Sequence, residues 1–281
     1  MTAYLRPRSL AEAVAARAAE PGYLVLAGGT DLMVNANHRP APAGLIDLWR
    51  LPGAGEISLD AERGQLAIGA GATWLQVQRH PLVVRHAAIL AAAASEIGAL
   101  QIQARGTIGG NVANSSPVGD SLPVLLALEA ELELCSVRGT RRLPYREFCT
   151  GYRTTALGAD ELVSAVLVPV AAPAVRLFWR KVGTRRAQSI SKVMAAAAIH
   201  LEDGVVRRAT VAFGAVAEAG RIDAIVRDLL DFARPAALHE SPRHGDSERG
   251  LAARRRADDR EAGPAERVCR ASPLPPLRCE S

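Results

Sequence analysis

Short apolar runs alternate with longer segments of helical period along most of the chain. The short runs have the length of β-strands and are bounded by glycine, proline or polar turn residues, so they predict strands. These predicted strands are Tyr23–Ala27, Leu45–Leu48, Gln65–Ala70, Glu131–Val137, Leu162–Val168, Arg176–Val182 and Val205–Ala215.

Helices are predicted where alanine-rich or periodic segments follow a capping residue. Ser9 and Glu12 form a capping-box pattern, and Thr73 can cap a short helix. The other predicted helices are Val83–Ile97, Leu122–Leu128, Lys192–His200 with Ser191 as N-cap, and Ile222–Phe232. Irregular spacing and apparent hairpins favour an α+β fold over a doubly wound parallel sheet.

Changes in composition divide the chain into regions. We expect one domain over residues 1–170, with subdomains of about 1–55 and 56–170. A linker leads into a small C-terminal α+β domain over residues 174–235. The remaining residues, 236–281, are rich in charged residues, proline and glycine without a sustained apolar period, so we expect a disordered or aberrant tail.

Composition excludes several classes of function. The 281 residues are 49% hydrophobic, which is enough for a substantial core, and the formal charge is +5. Aromatic residues make up only 4%, so nucleic-acid stacking is not expected. The four cysteines, which show no CxxC spacing, predict neither a metal cluster nor a disulfide framework: Cys135, Cys149, Cys269 and Cys279. No signal peptide or membrane span is visible, so a cytoplasmic protein is expected.

Two glycine-rich turns carry the candidate chemistry. Gly28-Gly29 follows the strand Tyr23–Ala27, and Gly106–Asn111 contains three more glycines. Neither is a Walker A loop or a GxGxxG fingerprint. Glycine lets the backbone approach a ligand closely, and freed N–H groups can then bind anionic oxygens. Each turn alone could be a simple turn, but the pair could hold one pyrophosphate from two sides.

Two further features leave alternatives open. Asp31 could be a favourable charge at a helix N-terminus, and Asp120 could be an N-cap for Leu122–Leu128 or an acceptor for a sugar hydroxyl. Lys181 and Lys192 are the only lysines, and arginine is used at the other positions with a strongly basic side chain. The two lysines could mark places where a compact ammonium group is required. The alternative is that they remain by chance at surface positions.

The turns and two later segments resemble the FAD-binding subunits of molybdopterin-dependent dehydrogenases, a carbon monoxide dehydrogenase medium-subunit-like flavoprotein family. The similar segments are Ala27–Leu32, Arg105–Asp120, Gly151–Leu157 and Arg180–Val193, the last closest to the xanthine dehydrogenase branch. The resemblance runs from about Tyr4 to about Val216 and implies a two-subdomain FAD-binding domain of the PCMH or vanillyl-alcohol-oxidase type, followed by a small α+β domain.

The resemblance also implies cofactor-binding residues, but no catalytic residue in this chain. They are Leu24, Val25, Leu26, Ala27, Gly28, Gly29, Thr30, Asp31, Ile97, Thr107, Gly109, Gly110, Asn111, Asp120 and Lys192. For Ile97, core packing is the alternative to a position near the flavin ring. For Lys192, the alternative is the start of a helix.

The implied role is electron transfer within a hetero-oligomer. Partner subunits would carry molybdopterin and iron–sulfur clusters, FAD would lie in this chain, and NAD would be the acceptor. The alternatives are the same role in a carbon monoxide, aldehyde or nicotinate dehydrogenase, a self-contained flavin oxidase, or a flavin-free structural or assembly subunit. Thr30 argues against the carbon monoxide branch, which tends to place glutamine there.

Two departures from the family pattern stand out. Gln103-Ala104 replaces the more usual Arg-Asn, so some local hydrogen bonds are expected to be missing. The tail has Asp258-Asp259-Arg260 but lacks the family's later Tyr-Arg segment. This loss, with the loss of apolar patterning, suggests a tail that is out of frame. Resequencing the gene tests the idea, and an unbroken read with the same tail would remove it.

Overall fold

The computed structural model describes residues 2–38, 40–170, 174–185, 188–203 and 205–215. The predicted helix Ile222–Phe232, Cys269, Cys279 and the tail 236–281 lie outside these residues. The strands are β1 (Ala3–Leu5), β2 (Leu24–Leu26), β3 (Gly44–Asp47), β4 (Ile57–Asp60), β5 (Gln65–Gly69), β6 (Glu131–Ser136), β7 (Gly139–Pro144), β8 (Cys149–Gly151), β9 (Thr154–Thr155), β10 (Leu162–Pro169), β11 (Val175–Gly183), β12 (Ser191–Glu202) and β13 (Val205–Gly214).

Eight α-helices and one 3₁₀ helix connect these strands within the described residues. The α-helices are α1 (Leu10–Ala19), α2 (Trp74–Arg79), α3 (Pro81–His86), α4 (Ala88–Ser95), α5 (Leu100–Gln103), α6 (Ile108–Asn114), α7 (Leu122–Ala127) and α8 (Tyr145–Phe148). The 3₁₀ helix, Leu32–His38, follows the first glycine turn. This mixture of helices and mainly antiparallel sheets confirms the α+β class.

The chain begins with a small parallel sheet in the order β1-β3-β2. Helix α1 connects β1 to β2, as a parallel pair requires a crossover. Its N-cap is Ser9, whose hydroxyl accepts a hydrogen bond from the Glu12 amide. The Glu12 carboxylate accepts from the Arg8 amide rather than from Ser9, so only half of the predicted capping box forms. Strand β2 lies at an edge of this sheet and ends at the first glycine turn.

A five-stranded antiparallel sheet in the order β4-β5-β10-β6-β7 supports the second glycine-rich segment. Helix α6 packs against its strand β10, and the sheet shares one continuous apolar core with α4 and α7. The largest fully buried side chains of that core are Trp74, Tyr145, Phe148, Leu66, Ile68, Leu90, Ile108, Leu125, Leu132 and Leu134. The core thereby holds the start of α6 in a fixed position beneath the site described below.

A third sheet, β11-β12-β13, packs against the same core and corrects one prediction. The segment Lys192–His200 is strand, not helix, and Ser191 is not an N-cap. Its alanines favour a helix by local propensity. Here β11 and β13 pair with β12 on both sides, and Val193 and Met194 are buried in its opposite faces. Tertiary pairing and burial therefore outweigh local preference.

Most of the remaining element predictions are confirmed, and one predicted helix is divided in two. The strands predicted at Tyr23, Leu45, Gln65, Glu131, Leu162, Arg176 and Val205 are all present, with small shifts at their ends. The helix predicted over Val83–Ile97 is two helices, because the chain leaves the helical region at Ala87 (φ −141°, ψ 50°). Thr73 caps α2, as predicted, and it also forms a complete capping box with Gln76, which was not predicted. The expected domain boundaries stay a prediction.

Candidate functional site

The two glycine-rich turns meet in space. A Cβ on Gly28 would lie 1.8 Å from the carbonyl oxygen of Arg105, so the backbones of the two turns are in direct contact there. A Cβ on Gly106 would lie 3.2 Å from the Thr30 hydroxyl oxygen, and one on Gly110 would lie 3.9 Å from the Ala27 Cβ. The chain brings together segments about eighty residues apart, as the pairing of the turns predicted.

The first turn presents unpaired backbone donors. Gly29 has a left-handed φ of +75°, which glycine adopts without strain. Among the residues that the structure describes, the amides of Gly28, Gly29, Thr30 and Asp31 have no protein acceptor. Consecutive free N–H groups in such a turn form an anion-binding concavity.

The second turn is the N-terminus of α6, and most of its amides already have protein acceptors. Thr107 is the N-cap, and its hydroxyl accepts from the Gly110 amide at 3.1 Å. The amides of Ile108 and Gly109 donate to the carbonyls of Ala72 and Ala70. The expectation that both turns would offer free amides is therefore wrong for the second, because α6 is anchored to the five-stranded sheet through these groups.

Two glycines of the second turn serve different purposes. A Cβ on Gly109 would lie 2.5 Å from the Ala70 Cβ, so this glycine allows α6 to pack on the end of β5. Gly110 is exposed and adjoins the first turn. The Asn111 carboxamide oxygen accepts from the Ser121 hydroxyl at 2.7 Å, while no described residue accepts from its nitrogen. Asn111 can therefore offer an amide donor beside Gly110.

Two arginines, Arg105 and Arg153, lie beside the first turn. The Arg105 guanidinium lies 4.0 Å from the centre of the Trp49 ring, and its Nε donates weakly to the Gly28 carbonyl at 3.4 Å. The Arg153 guanidinium lies 4.0 Å from the Asp31 carboxylate. Asp31 is half exposed at the end of the turn, so Arg153 compensates part of a negative charge that would otherwise oppose anion binding.

A cavity of about 740 Å³ lies beyond the other end of α6. Its lining comes from the loop after α6 and from the ends of the third sheet, namely Pro117, Val118, Thr184, Arg185, Gln188, Ser189, Ile190, Ser191, Lys192 and Ala215. Lys192 is exposed here, at the start of β12. Helix α6, whose seven residues span roughly 10 Å, thus leads from the second glycine-rich turn toward the loop that lines this cavity.

Asp120 is buried behind this cavity and does not cap a helix. The N-cap of α7 is Ser121, which makes no side-chain capping bond. One Asp120 oxygen accepts from the Lys181 ammonium at 2.7 Å, and the other accepts from the Ser191 hydroxyl. The N-cap alternative for Asp120 is therefore wrong. A sugar hydroxyl would have to share an oxygen that already has a protein donor.

The other predicted site residues lie in two environments. Leu24 and Val25 are partly exposed on the edge strand β2 that leads into the first turn, with Leu26 and Ala27 following. Ile97 is 9% exposed and belongs to the main core, as the packing alternative predicted. Near it, Gln103 donates to the carbonyls of Ser95 and Ile97, so the glutamine that replaces arginine makes local bonds of its own.

Sequence reasoning missed several residues of this region. Trp49 carried no signal of its own, and Arg153 was noted only as part of the similar segment Gly151–Leu157, because cation–π and ion-pair contacts join residues far apart in the chain. Ser191 was interpreted as a helix cap. Lys181 was noted for the scarcity of lysine but was not assigned to the site, and only the fold shows that it is buried against Asp120.

The described residues hold no group of three or more His, Cys, Asp or Glu side chains able to hold a metal ion. Across the same part of the chain, every helix is too short or too polar to cross a membrane.

Comparison with known proteins identifies the fold and the cofactor class. Residues 1–171 match the model of the FAD binding domain in molybdopterin dehydrogenase. The chain is 34% identical over 216 residues to a putative xanthine dehydrogenase FAD-binding subunit of Escherichia coli K12, covering 76% of this chain and 74% of that protein. It is 36% identical over 185 residues to the nicotinate dehydrogenase FAD-subunit of Eubacterium barkeri, covering 64% of this chain and 61% of that protein.

A solved structure gives the same result. Carbon monoxide dehydrogenase from Hydrogenophaga pseudoflava superposes with a TM-score of 0.73 at 28% identity, over 77% of this chain and 75% of that one. The glycine turns fall within the matched residues, and the third sheet extends the similarity to the xanthine dehydrogenase relative beyond them. The chain therefore belongs to the family of FAD-binding domains of molybdopterin dehydrogenases, and it is the flavoprotein subunit of an oxidoreductase.

Proposed function

We propose that this chain holds the pyrophosphate of FAD against the first glycine turn and transfers electrons within a molybdenum hydroxylase most like xanthine dehydrogenase. The observation that carries the proposal is the row of unpaired amides from Gly28 to Asp31, set against the start of α6. A diphosphate supplies the acceptors that these donors lack.

The surrounding side chains fit the same ligand. Thr30 and Thr107 offer hydroxyl groups, and the free carboxamide nitrogen of Asn111 offers another donor. Gly110 leaves the approach between α6 and the first turn open. The partly exposed residues of β2, Leu24 and Val25, offer apolar contact to one part of the cofactor. In the cavity beyond α6, Lys192 offers a cation to another part.

When bound, FAD supplies the chemistry that joins single-electron transfer to hydride transfer. The protein supplies binding and orientation. Glycine backbones and neutral donors hold the diphosphate, Arg105 and Trp49 brace the turn, and the packed core behind α6 excludes water from that side. None of these roles needs an acid or base in this chain.

The partners of the proposed complex follow from the same role. Iron–sulfur clusters on one partner subunit would deliver electrons, a large subunit with molybdopterin would oxidise the substrate, and NAD would accept a hydride. The relatives in Escherichia coli and Eubacterium barkeri are themselves named as FAD subunits, which supports a hetero-oligomer. Their names also give two candidate substrates, xanthine and nicotinate, because a xanthine and a nicotinate enzyme are both similar to this chain.

The first experiment is an absorbance spectrum of the purified chain, followed by release and identification of any cofactor. Released FAD, or uptake of added FAD by a colourless preparation, supports the proposal. A chain that is folded by circular dichroism but takes up no FAD contradicts it and favours the flavin-free structural subunit.

Gly110→Val tests the assignment of the pyrophosphate site. The new side chain would begin 3.0 Å from the Thr107 hydroxyl oxygen and would fill the space toward Ala27, so we expect it to abolish FAD binding. Gly22→Val is the matched control, because nothing lies within 4 Å of a Cβ on Gly22. Undiminished FAD content in Gly110→Val, measured against this control, would place the pyrophosphate elsewhere.

Two further measurements test the acceptor and the substrate. Anaerobic NADH should bleach the flavin of the FAD-loaded chain if NAD is the physiological acceptor, whereas an unchanged spectrum excludes direct hydride exchange. In the complex assembled with its partner subunits, xanthine and nicotinate are then supplied separately. The substrate that reduces the flavin identifies the branch, and reduction by nicotinate alone would favour the second candidate.

A further inference from the structure

A second cavity, of about 270 Å³, lies where the loop after β3 meets the start of α2 and the end of α5. It is lined by Trp49, Arg50, Leu51, Ala54, Gly55, Gly71, Thr73, Gln76 and Ala104. None of these residues is among the predicted cofactor-binding residues, and none is an Asp or a Glu. The volume is just below the range of about 300–1,000 Å³ that is typical of pockets for drug-sized ligands. The second cavity therefore suits a smaller ligand.

Two arginines lie over the ring of Trp49 at this cavity. The Arg105 guanidinium is 4.0 Å from the ring centre, and the Arg50 guanidinium is 5.7 Å from it. In the part of the chain that the structure describes, no carboxylate forms an ion pair with either group. Like charges beside one ring repel each other, and an anion close to both would offset that repulsion.

Neutral donors without protein acceptors line the same cavity. Among the described residues, the backbone amides of Arg50 and Gly55 have no acceptor. The carboxamide oxygen of Gln76 accepts from the Thr73 amide at 2.9 Å, and no described residue accepts from the carboxamide nitrogen. Guanidinium groups and unpaired N–H donors are the usual protein partners of phosphate.

The backbone of Arg50 is strained. Its φ of 60° is left-handed, a conformation that glycine adopts freely and that arginine rarely adopts. The loop around it is fixed by backbone hydrogen bonds, from the Leu51 amide to the Leu48 carbonyl at 3.1 Å and from the Gly71 amide to the Ala54 carbonyl at 2.7 Å. Strained residues of this kind cluster at ligand sites. An arginine at a position that suits glycine points to a role for its side chain.

We propose that the second cavity binds phosphate, either as the free ion or as the phosphate group of a small ester, with Arg50 as the main charged contact. A phosphate has several acceptor oxygens, so it can accept from the Arg50 guanidinium and from the neutral donors at the same time. The inference does not rest on FAD binding, because the lining residues are distinct from the proposed FAD contacts.

The test uses the full chain with isotope-labelled tryptophan and inorganic phosphate as the probe. The indole N–H resonance of Trp49, assigned by its loss in Trp49→Phe, should shift during a titration at constant ionic strength, while those of Trp74 and Trp179 should not. We expect half-saturation near about 1 mM, and an unshifted Trp49 resonance at about 10 mM overturns the proposal. Glycerol phosphate is then titrated in the same way. Tighter binding than inorganic phosphate identifies an ester as the ligand, and weaker binding identifies the free ion.

Arg50→Gly separates phosphate binding from folding. Glycine fits the left-handed backbone, so the melting temperature should be no lower than that of the wild type. Phosphate affinity should fall by about tenfold or more, because a charge-assisted hydrogen bond is lost, and Arg50→Lys should recover part of the loss by restoring the charge. Arg146→Gln is the control, because it changes an exposed arginine outside the cavity. Wild-type phosphate affinity in Arg50→Gly overturns the proposal.

Phosphate bound at the first glycine turn could also shift the Trp49 resonance, because Arg105 contacts both Trp49 and Gly28. The titration is therefore repeated with the FAD-loaded chain, in which the proposed cofactor fills that turn. An unchanged shift supports the second cavity, whereas loss of the shift assigns the phosphate to the turn and overturns the inference. If the chain takes up no FAD, the proposed function fails, while the comparison with Arg50→Gly still decides the inference.

Discussion

At the scale of single residues, the site depends on glycines, because a missing Cβ atom lets two backbones come into contact. Gly28 has no Cβ, and this absence lets its backbone touch that of Arg105. Gly22, in another turn, has open space around it. Two glycines of the same chain therefore differ completely in their tolerance of a methyl group, because only one lies where two backbones meet.

Gly28→Ala tests this difference. The new Cβ would lie 1.8 Å from a backbone carbonyl that cannot rotate away, so the two turns must separate. We expect FAD affinity to fall by at least about tenfold and the melting temperature to fall by several degrees, since strain of this kind costs about 1–3 kcal/mol. FAD titration and thermal unfolding provide the measurements.

Gly22→Ala is the control for that experiment and should behave like the wild type. Equal behaviour of the two alanine variants would show that the turns are not in contact in solution.

At the scale of elements, backbone pairing and burial decide what local sequence preference leaves open. The alanine run of β12 has the composition of a helix, yet it pairs on both sides and is buried on both faces. The break at Ala87, which is fully buried in the main core, is a smaller departure from local preference. Elements whose apolar pattern agrees with their surroundings, such as Leu162–Pro169, were predicted with nearly the right bounds.

One ion pair fixes an element to its neighbour. The Glu161 carboxylate, 6% exposed, accepts two hydrogen bonds from Arg141 of β7 and one from the Gly158 amide. The bond from Arg141 holds the pKa of Glu161 below its ordinary value of 4.5, against the opposing effect of burial. The turn before β10 is thereby pinned to the edge of the five-stranded sheet.

Glu161→Gln should therefore destabilise the protein in a pH-dependent way. Because the folded-state pKa is lowered, ionised Glu161 stabilises the fold above about pH 4.5, and this contribution is lost as the pH falls through the folded-state value. At pH 7 we expect a loss of roughly 1 to 2 kcal/mol, near the lower end because Arg141 is half exposed. Denaturant unfolding of both proteins from pH 7 to pH 3 should show the difference shrinking.

The control for this experiment is Glu147→Gln, which removes an exposed carboxylate beside Arg146. It should have little effect at any pH. A Glu161→Gln deficit that stays constant down to pH 3 would mean that the charge of Glu161 is not the cause.

At the scale of the whole molecule, the third sheet is part of the main core. Ala196 of β12 lies in the same apolar cluster as Leu90 and Val124, and Leu177 and Trp179 of β11 pack against that cluster. Apolar packing and the ion pair between Asp120 and Lys181 therefore join residues on the two sides of the division that we expect near residue 170, which itself stays a prediction. Cavity and glycine turns are held by one continuous body of side chains.

We therefore expect one thermal transition for the described part of the chain. Differential scanning calorimetry should show a single unfolding peak for the described part of the chain. The reason is that the third sheet cannot unfold without exposing core surface. Ala196→Asp buries a carboxylate in that core and should lower the whole transition, whereas Ala209→Asp lies on an exposed position of β13 and should not. Two resolved peaks for the wild type would contradict this.

The sequence by itself determined the class of fold, most strands, the two glycine turns and the family, because these depend on local patterns of apolar residues, glycine and capping groups that lie together in the chain. Only the tertiary structure decided which amides are free, that Gly109 serves packing while Gly110 adjoins the first turn, and that Asp120 bonds to Lys181 rather than capping α7. These outcomes depend on distances between segments far apart in the chain. Local propensity carries no information about such distances, whereas hydrogen bonding and burial depend on them directly.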